Sequence, residues 1–166
     1  MHKILIINTG GTFNKKYNPI SGDLEVDQEA EALDSLASKW LCRFNIINII
    51  GKDSLEMTNH DRLELLATIH QSDNEKIIIV HGTDTMHLTA EYLADSDLKK
   101  QIVLTGAMVP YSINPVEATA NFASAFGYLE CLQKEGIYIA MNGLVCPYEK
   151  IIKEHQKGQF VLKNIT

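Results

Sequence analysis

The chain is short of several things that would settle its class at once. It has only three cysteines, Cys42, Cys131 and Cys146, odd in number and widely spaced. They match no zinc pattern and make no disulfide framework, so they read as buried, reduced thiols. Positive charge is scarce as well. Fifteen Lys and Arg against 21 Asp and Glu leave a formal net charge of -6, with no basic cluster to offset it. That argues against a nucleic-acid surface, which needs a basic face. No apolar run approaches the roughly 20 residues of a membrane span. Nor does the start of the chain have the charged, apolar and small-residue regions of a signal peptide. The expectation is a soluble, cytoplasmic protein with neither nucleic acid nor membrane as partner. Gly-x-Gly-x-x-Gly is missing, which removes a Rossmann reading. Gly10-Gly11 lacks the following Gly-Lys-Ser/Thr of a phosphate loop.

What is present is ordinary in amount and informative in order. A chain of 166 residues, 45% hydrophobic and 22% charged, suits one domain with a real core. Aliphatic runs recur at Ile4 to Ile7, Ile46 to Ile50, Ile77 to Val80, Ile102 to Leu104 and Ile137 to Met141. Runs without a polar side suit parallel strands covered on both faces. Helical patterns lie between them: Asp27 to Ser38, a segment capped at Thr58-Asn59-His60-Asp61 and running to about His70, and Met86 to Ala94. Val116 to Leu132 is another, with Pro115 in its first turn and a stripe of Val116, Ala120, Ala123, Phe126 and Leu129. Tyr148 to Lys157 is expected as a last, short and charged helix. The alternation predicts an α/β fold: a three-layer, doubly wound, flavodoxin-like and mostly parallel sheet with helices on both faces. Phe13 to Val26 breaks the rhythm. Pro19 and Ser21-Gly22-Asp23 form a turn before a short strand at Leu24 to Val26, which predicts a hairpin or lid after the first strand.

Three strands end in glycine beside hydroxyl residues: Thr9-Gly10-Gly11-Thr12, His81-Gly82-Thr83-Asp84-Thr85 and Thr105-Gly106-Ala107-Met108. In open α/β sheets ligands bind at the carboxyl ends of strands. A threonine hydroxyl is a poor nucleophile unless a neighbouring base takes its proton. A lysine desolvated nearby and held by a carboxylate can serve as that base. Thr83 and Asp84 also suit capping of the helix that starts near Met86. His81 reads as a residue that packs or orients its loop, not as a base, and His60 and His70 as surface or satisfied residues.

Together these motifs resemble the bacterial-type L-asparaginases and glutaminase-asparaginases. Thr9-Gly10-Gly11-Thr12 looks like the family's first signature, whose second threonine is the acylated nucleophile. His81-Gly82-Thr83-Asp84-Thr85 looks like the second. The resemblance implies Thr83 as the second catalytic threonine and Asp84 as the group that binds the substrate's α-amino group. Asp53-Ser54-Leu55-Glu56-Met57 is similar to the segment that gives a serine to the α-carboxylate, so Ser54 and Gly11 join Thr83 and Asp84 as implied substrate contacts. Gly106-Ala107-Met108 and Asn121 keep the family spacing, although Val109 stands where many members have arginine. Past Met141-Asn142 the offset of the family's catalytic lysine falls on Lys153. Tyr17, on the hairpin, is the implied phenol assisting the nucleophile, in a local context that departs from the commonest pattern.

The resemblance implies hydrolysis of L-asparagine to L-aspartate and ammonia, a small amino-acid substrate, a homodimer or higher homo-oligomer, and no metal or cofactor. It covers residues 1–166 as a single N-terminal-type domain, with the family's C-terminal domain expected to be absent. That expectation motivates an alternative, an asparagine- or aspartate-binding or regulatory domain that turns over poorly. A flavin- or nucleotide-binding domain of the same architecture is a third possibility.

Overall fold

A computed structural model describes residues 4–164. The remaining ends of the expected 1–166 domain lie outside the described residues. In chain order the strands and helices are β1 (Ile4–Gly10), β2 (Lys15–Tyr17), β3 (Leu24–Val26), α1 (Glu31–Lys39), β4 (Asn45–Lys52), α2 (Asn59–Gln71) and β5 (Lys76–Val80). They continue with α3 (Met86–Ala94), β6 (Gln101–Thr105), α4 (Pro115–Cys131), β7 (Gly136–Met141), β8 (Leu144–Pro147), β9 (Ile151–Glu154) and β10 (Gln159–Leu162).

The main sheet has the order β4-β1-β5-β6-β7-β8. Its first five strands are parallel and β8 adds antiparallel to β7. Numbered among themselves, the parallel strands run 2-1-3-4-5, the flavodoxin-like order. Alternate residues of each strand feed opposite cores. Ile4, Ile6, Ile78, Val80 and Val103 pack with Leu33 and Leu36 of α1 and Phe122, Ala125 and Leu129 of α4. Leu5, Ile7, Ile77, Ile79 and Leu104 pack with Leu65 and Ile69 of α2 and Ala90 and Leu93 of α3. Each such aliphatic side chain, fully buried, contributes about 1.5–3 kcal/mol. Two apolar faces per strand explain why the strands read as unbroken aliphatic runs.

Some expected elements differ. The stretch from Tyr148 to Lys157 is not a helix but a single 3-10 turn followed by the β9–β10 hairpin. Its periodicity is two: Ile151 is buried against the α2–α3 core, Ile152 faces out, and Lys153 turns inward again. Phe160 supplies the matching anchor from β10. In α4 the buried face is Ala118, Asn121, Phe122, Ala125 and Leu129, while Val116 is exposed. The expected stripe was out of phase because apolar residues occupy both sides of that helix. Helix α1 starts only at Glu31, whose N–H donates to Asp27 Oδ2 at 2.9 Å. The cysteines are free but not buried: Cys131 is exposed, and Cys42 and Cys146 are half-buried.

Candidate active site

In a 2-1-3-4-5 sheet the strand order reverses between β1 and β5, and a crevice opens at their carboxyl ends. The loops carrying Thr12 and Thr83-Asp84 leave from those two ends. They are pressed together. Gly11 has φ 77°, and its N–H donates to Lys52 O at 2.9 Å. A Cβ on Gly11 would strike the backbone of Gly82, and a Cβ on Gly82 would lie 2.6 Å from Ser54 Cβ. Three loops, after β1, β5 and β4, thus stack in a row only because two glycines stand at their contacts.

Thr12 opens a 3-10 turn and is half-buried. Its neighbours hold it. Phe13 is buried with its ring centroid 6.2 Å from Tyr111 and 6.4 Å from Phe122. Asn14 Nδ2 donates to Asn8 Oδ1 at 2.8 Å and to Gly10 O at 2.7 Å. Thr9, by contrast, donates its hydroxyl to Val80 O at 2.8 Å and is fully buried, a structural bond between β1 and β5.

On the facing loop Lys153 Nζ donates to Thr83 Oγ1 at 2.8 Å and to Asp84 Oδ1 at 2.6 Å. The lysine side chain is only 10% exposed. Thr85, not Asp84, occupies the N-cap of α3 and makes no side-chain cap bond. Asp84 is therefore engaged with Lys153 rather than with the helix. The hairpin that presents Lys153 is tied to the sheet end by amides. Asn121 Nδ2 donates to Gly106 O at 2.9 Å, Asn142 N–H donates to Asn121 Oδ1 at 3.0 Å, and Phe160 N–H donates to Asn142 Oδ1 at 2.8 Å. His155, at the hairpin turn, holds Nδ1 3.8 Å from Asp84 Oδ1.

Ser54 is buried after a bulge in β4 and is held by Thr85. Thr85 N–H donates to Ser54 Oγ at 3.3 Å, and Thr85 Oγ1 donates to Ser54 O at 2.8 Å. His81 is fully buried between Gly82 O and Thr89 Oγ1, each at 2.7 Å. Burial pushes its pKa down to about 4. Because Gly82 O can only accept, Nδ1 carries the proton and Nε2 accepts from Thr89. Such a histidine orients the loop.

The structure therefore brings Thr83, Asp84 and Lys153 into contact and stacks the Gly11 and Ser54 loops beside them. Tyr17 is placed otherwise: it is 62% exposed on β2, and among the described residues none hydrogen-bonds its phenol. The base of that hairpin is fastened by Lys15–Asp53 at 2.7 Å and Lys16–Asp27 at 2.9 Å. Sequence reasoning missed Arg62, Thr85, Thr89, Asn142 and His155. Arg62 left a signal, since it shares the helical spacing of buried Leu65 and Ile69. Among the described residues no cluster of metal-ligating side chains occurs, and no helix is long and apolar enough to cross a membrane.

Set against known proteins, residues 3–163 match the family model described as asparaginase, N-terminal. The chain belongs to the asparaginase family. It is 29% identical over 169 residues to a probable periplasmic L-asparaginase of Haemophilus influenzae, covering 90% of this chain and 46% of that one. It is also 29% identical to a glutamyl-tRNA(Gln) amidotransferase component of Methanococcus maripaludis, covering all of this chain and 43% of that one. The thermostable L-asparaginase from Thermococcus kodakarensis shares its fold, with a TM-score of 0.84 at 23% identity over 98% of this chain and 52% of that one. This asparaginase-family chain spans about half the length of the curated relatives it matches.

Proposed function

We propose that the chain is an amidohydrolase of the L-asparaginase type, converting L-asparagine and water to L-aspartate and ammonia through an acyl-enzyme on Thr12. The single observation that carries this reading is the Lys153 contact, in which one half-buried amine touches both Thr83 Oγ1 and Asp84 Oδ1. In the proposed sequence the substrate's α-ammonium docks on Asp84 and its α-carboxylate on Ser54. Thr12 Oγ attacks the amide carbon while its proton passes toward Thr83 and Lys153, the base. The substrate's ammonium then shares the Asp84 carboxylate with Lys153 Nζ. Backbone N–H groups of the glycine turns stabilise the oxyanion. The C–N bond breaks, the leaving nitrogen takes the proton and departs as ammonia. Water, activated by the same groups, hydrolyses the Thr12 ester and releases aspartate.

Ammonia release from L-asparagine, followed beside calorimetric titration with L-aspartate, tests the reading. Turnover supports it. Aspartate binding with no ammonia favours instead a binding or regulatory domain. A homodimer or higher homo-oligomer and a cytoplasmic location belong to the same proposal, and sedimentation and cell fractionation check them. The Haemophilus relative's name places that protein in the periplasm.

A further inference from the structure

Arg62 is the one lysine or arginine that is buried among the described residues, at 5% exposure, and no carboxylate pairs with it there. Its bonds go to hydroxyls and a carbonyl: Nε donates to Thr89 Oγ1 at 3.0 Å, Nη2 to Thr85 Oγ1 at 3.2 Å and Nη1 to Met57 O at 3.5 Å. The adjacent carboxylate is already engaged. Asp61 accepts from Lys52 Nζ at 2.9 and 3.1 Å and from Thr58 N–H at 2.7 Å. A buried charge is unfavourable unless it is paired, and an arginine cannot shed its proton to escape. The neighbouring histidine offers no relief, because His81 is neutral and accepts from the same Thr89 hydroxyl.

The location of this charge, which feels Asp61 only at a distance and has no direct ion pair, gives it a use. Thr85, bonded to Arg62, is also bonded to both the hydroxyl and the carbonyl of Ser54. The guanidinium therefore lies one side chain behind the serine loop. In a low-dielectric interior its field reaches that loop with little screening. We propose that Arg62 is a positioning and specificity residue: it holds Ser54 through Thr85 and supplies the positive potential that selects a ligand with a free α-carboxylate. The inference rests on the asparagine reading and names the group that sets its carboxylate preference.

The experiment compares L-aspartate with β-alanine, which keeps the amine and side-chain carboxylate but lacks the α-carboxylate. Wild type, Arg62→Gln and Arg62→Lys are titrated by calorimetry, and kcat and KM for L-asparagine are measured in parallel. Wild type is expected to prefer aspartate. Arg62→Gln should weaken aspartate binding tenfold or more and raise KM for asparagine similarly, with β-alanine changed less than twofold. Arg62→Lys, which keeps the charge, should keep the preference even where it melts earlier. Equal losses for both ligands in Arg62→Gln, or no loss, would overturn the inference by showing Arg62 to be structural only. Failed turnover with intact aspartate selectivity would sink the catalytic reading and leave this one standing. A wild type that binds neither ligand overturns both.

Discussion

At the residue scale, two side chains at the candidate site make separable predictions. Lys153 touches Thr83 and Asp84, and its proposed role is to carry the nucleophile's proton. Replacing it with methionine keeps the length of the chain and removes the amine. Lys153→Met should lower kcat for asparagine about 10²–10⁴-fold, read from ammonia release, while the fold persists by circular dichroism. His81 predicts a pH effect on stability. The unfolded histidine takes its proton near 6.5, whereas burial holds the folded one at about 4. Between those values the unfolded chain binds more protons, so acid favours unfolding. Wild-type stability should fall by roughly 3 kcal/mol as pH drops from 6.5 to 4. His81→Gln, measured by urea unfolding across that range, should flatten this part of the profile. An unchanged slope would remove His81 as its source.

At the element scale, the question is what aims the β9–β10 hairpin. Its strands are only four residues each, and a lone hairpin is marginal in water. Ile151 and Phe160 bury its apolar side, and the Asn121–Asn142–Phe160 amide chain fixes its edge. Asn142 sits at φ 52°, a conformation asparagine tolerates better than most residues. Asn142→Ala should lose about 1–3 kcal/mol of stability from the unsatisfied Phe160 N–H and the strained backbone. It should also lower kcat, because the lysine's strand loses its tether. Urea unfolding and ammonia release check the two effects separately.

The same hairpin shows the limit of reading elements from a sequence. The five parallel strands were legible, since the four inner ones are buried on both faces and even the edge strand β4 keeps four isoleucines. The loops that end β1 and β5 were legible too, through Gly11 and Gly82 and the hydroxyls beside them. The segment after Met141 was not. Charges at Glu149, Lys150, Lys153, Glu154 and Lys157 suggested a solvated helix, yet the burial of Ile151 and Phe160 is decided by a core built from distant segments. Arg62 was hidden for a related reason. A charged residue at helical spacing ordinarily faces water, and its partners Thr85 and Thr89 come from another helix and its cap.

At the scale of the whole molecule, the sheet order explains why so few residues suffice to place a site. The β1–β5 reversal brings two loops together, the β4 bulge adds Ser54, and the hairpin beyond β8 closes over them with Lys153. The family match and the shared fold fit that arrangement over nearly the whole chain. The central claim is that Thr12, at the first of these strand ends, is the nucleophile. The most direct measurement is the rate of ammonia release from L-asparagine by wild type and by Thr12→Ala, each confirmed folded. The account predicts a fall of at least about a thousandfold in the variant. Equal rates for the two proteins would contradict it.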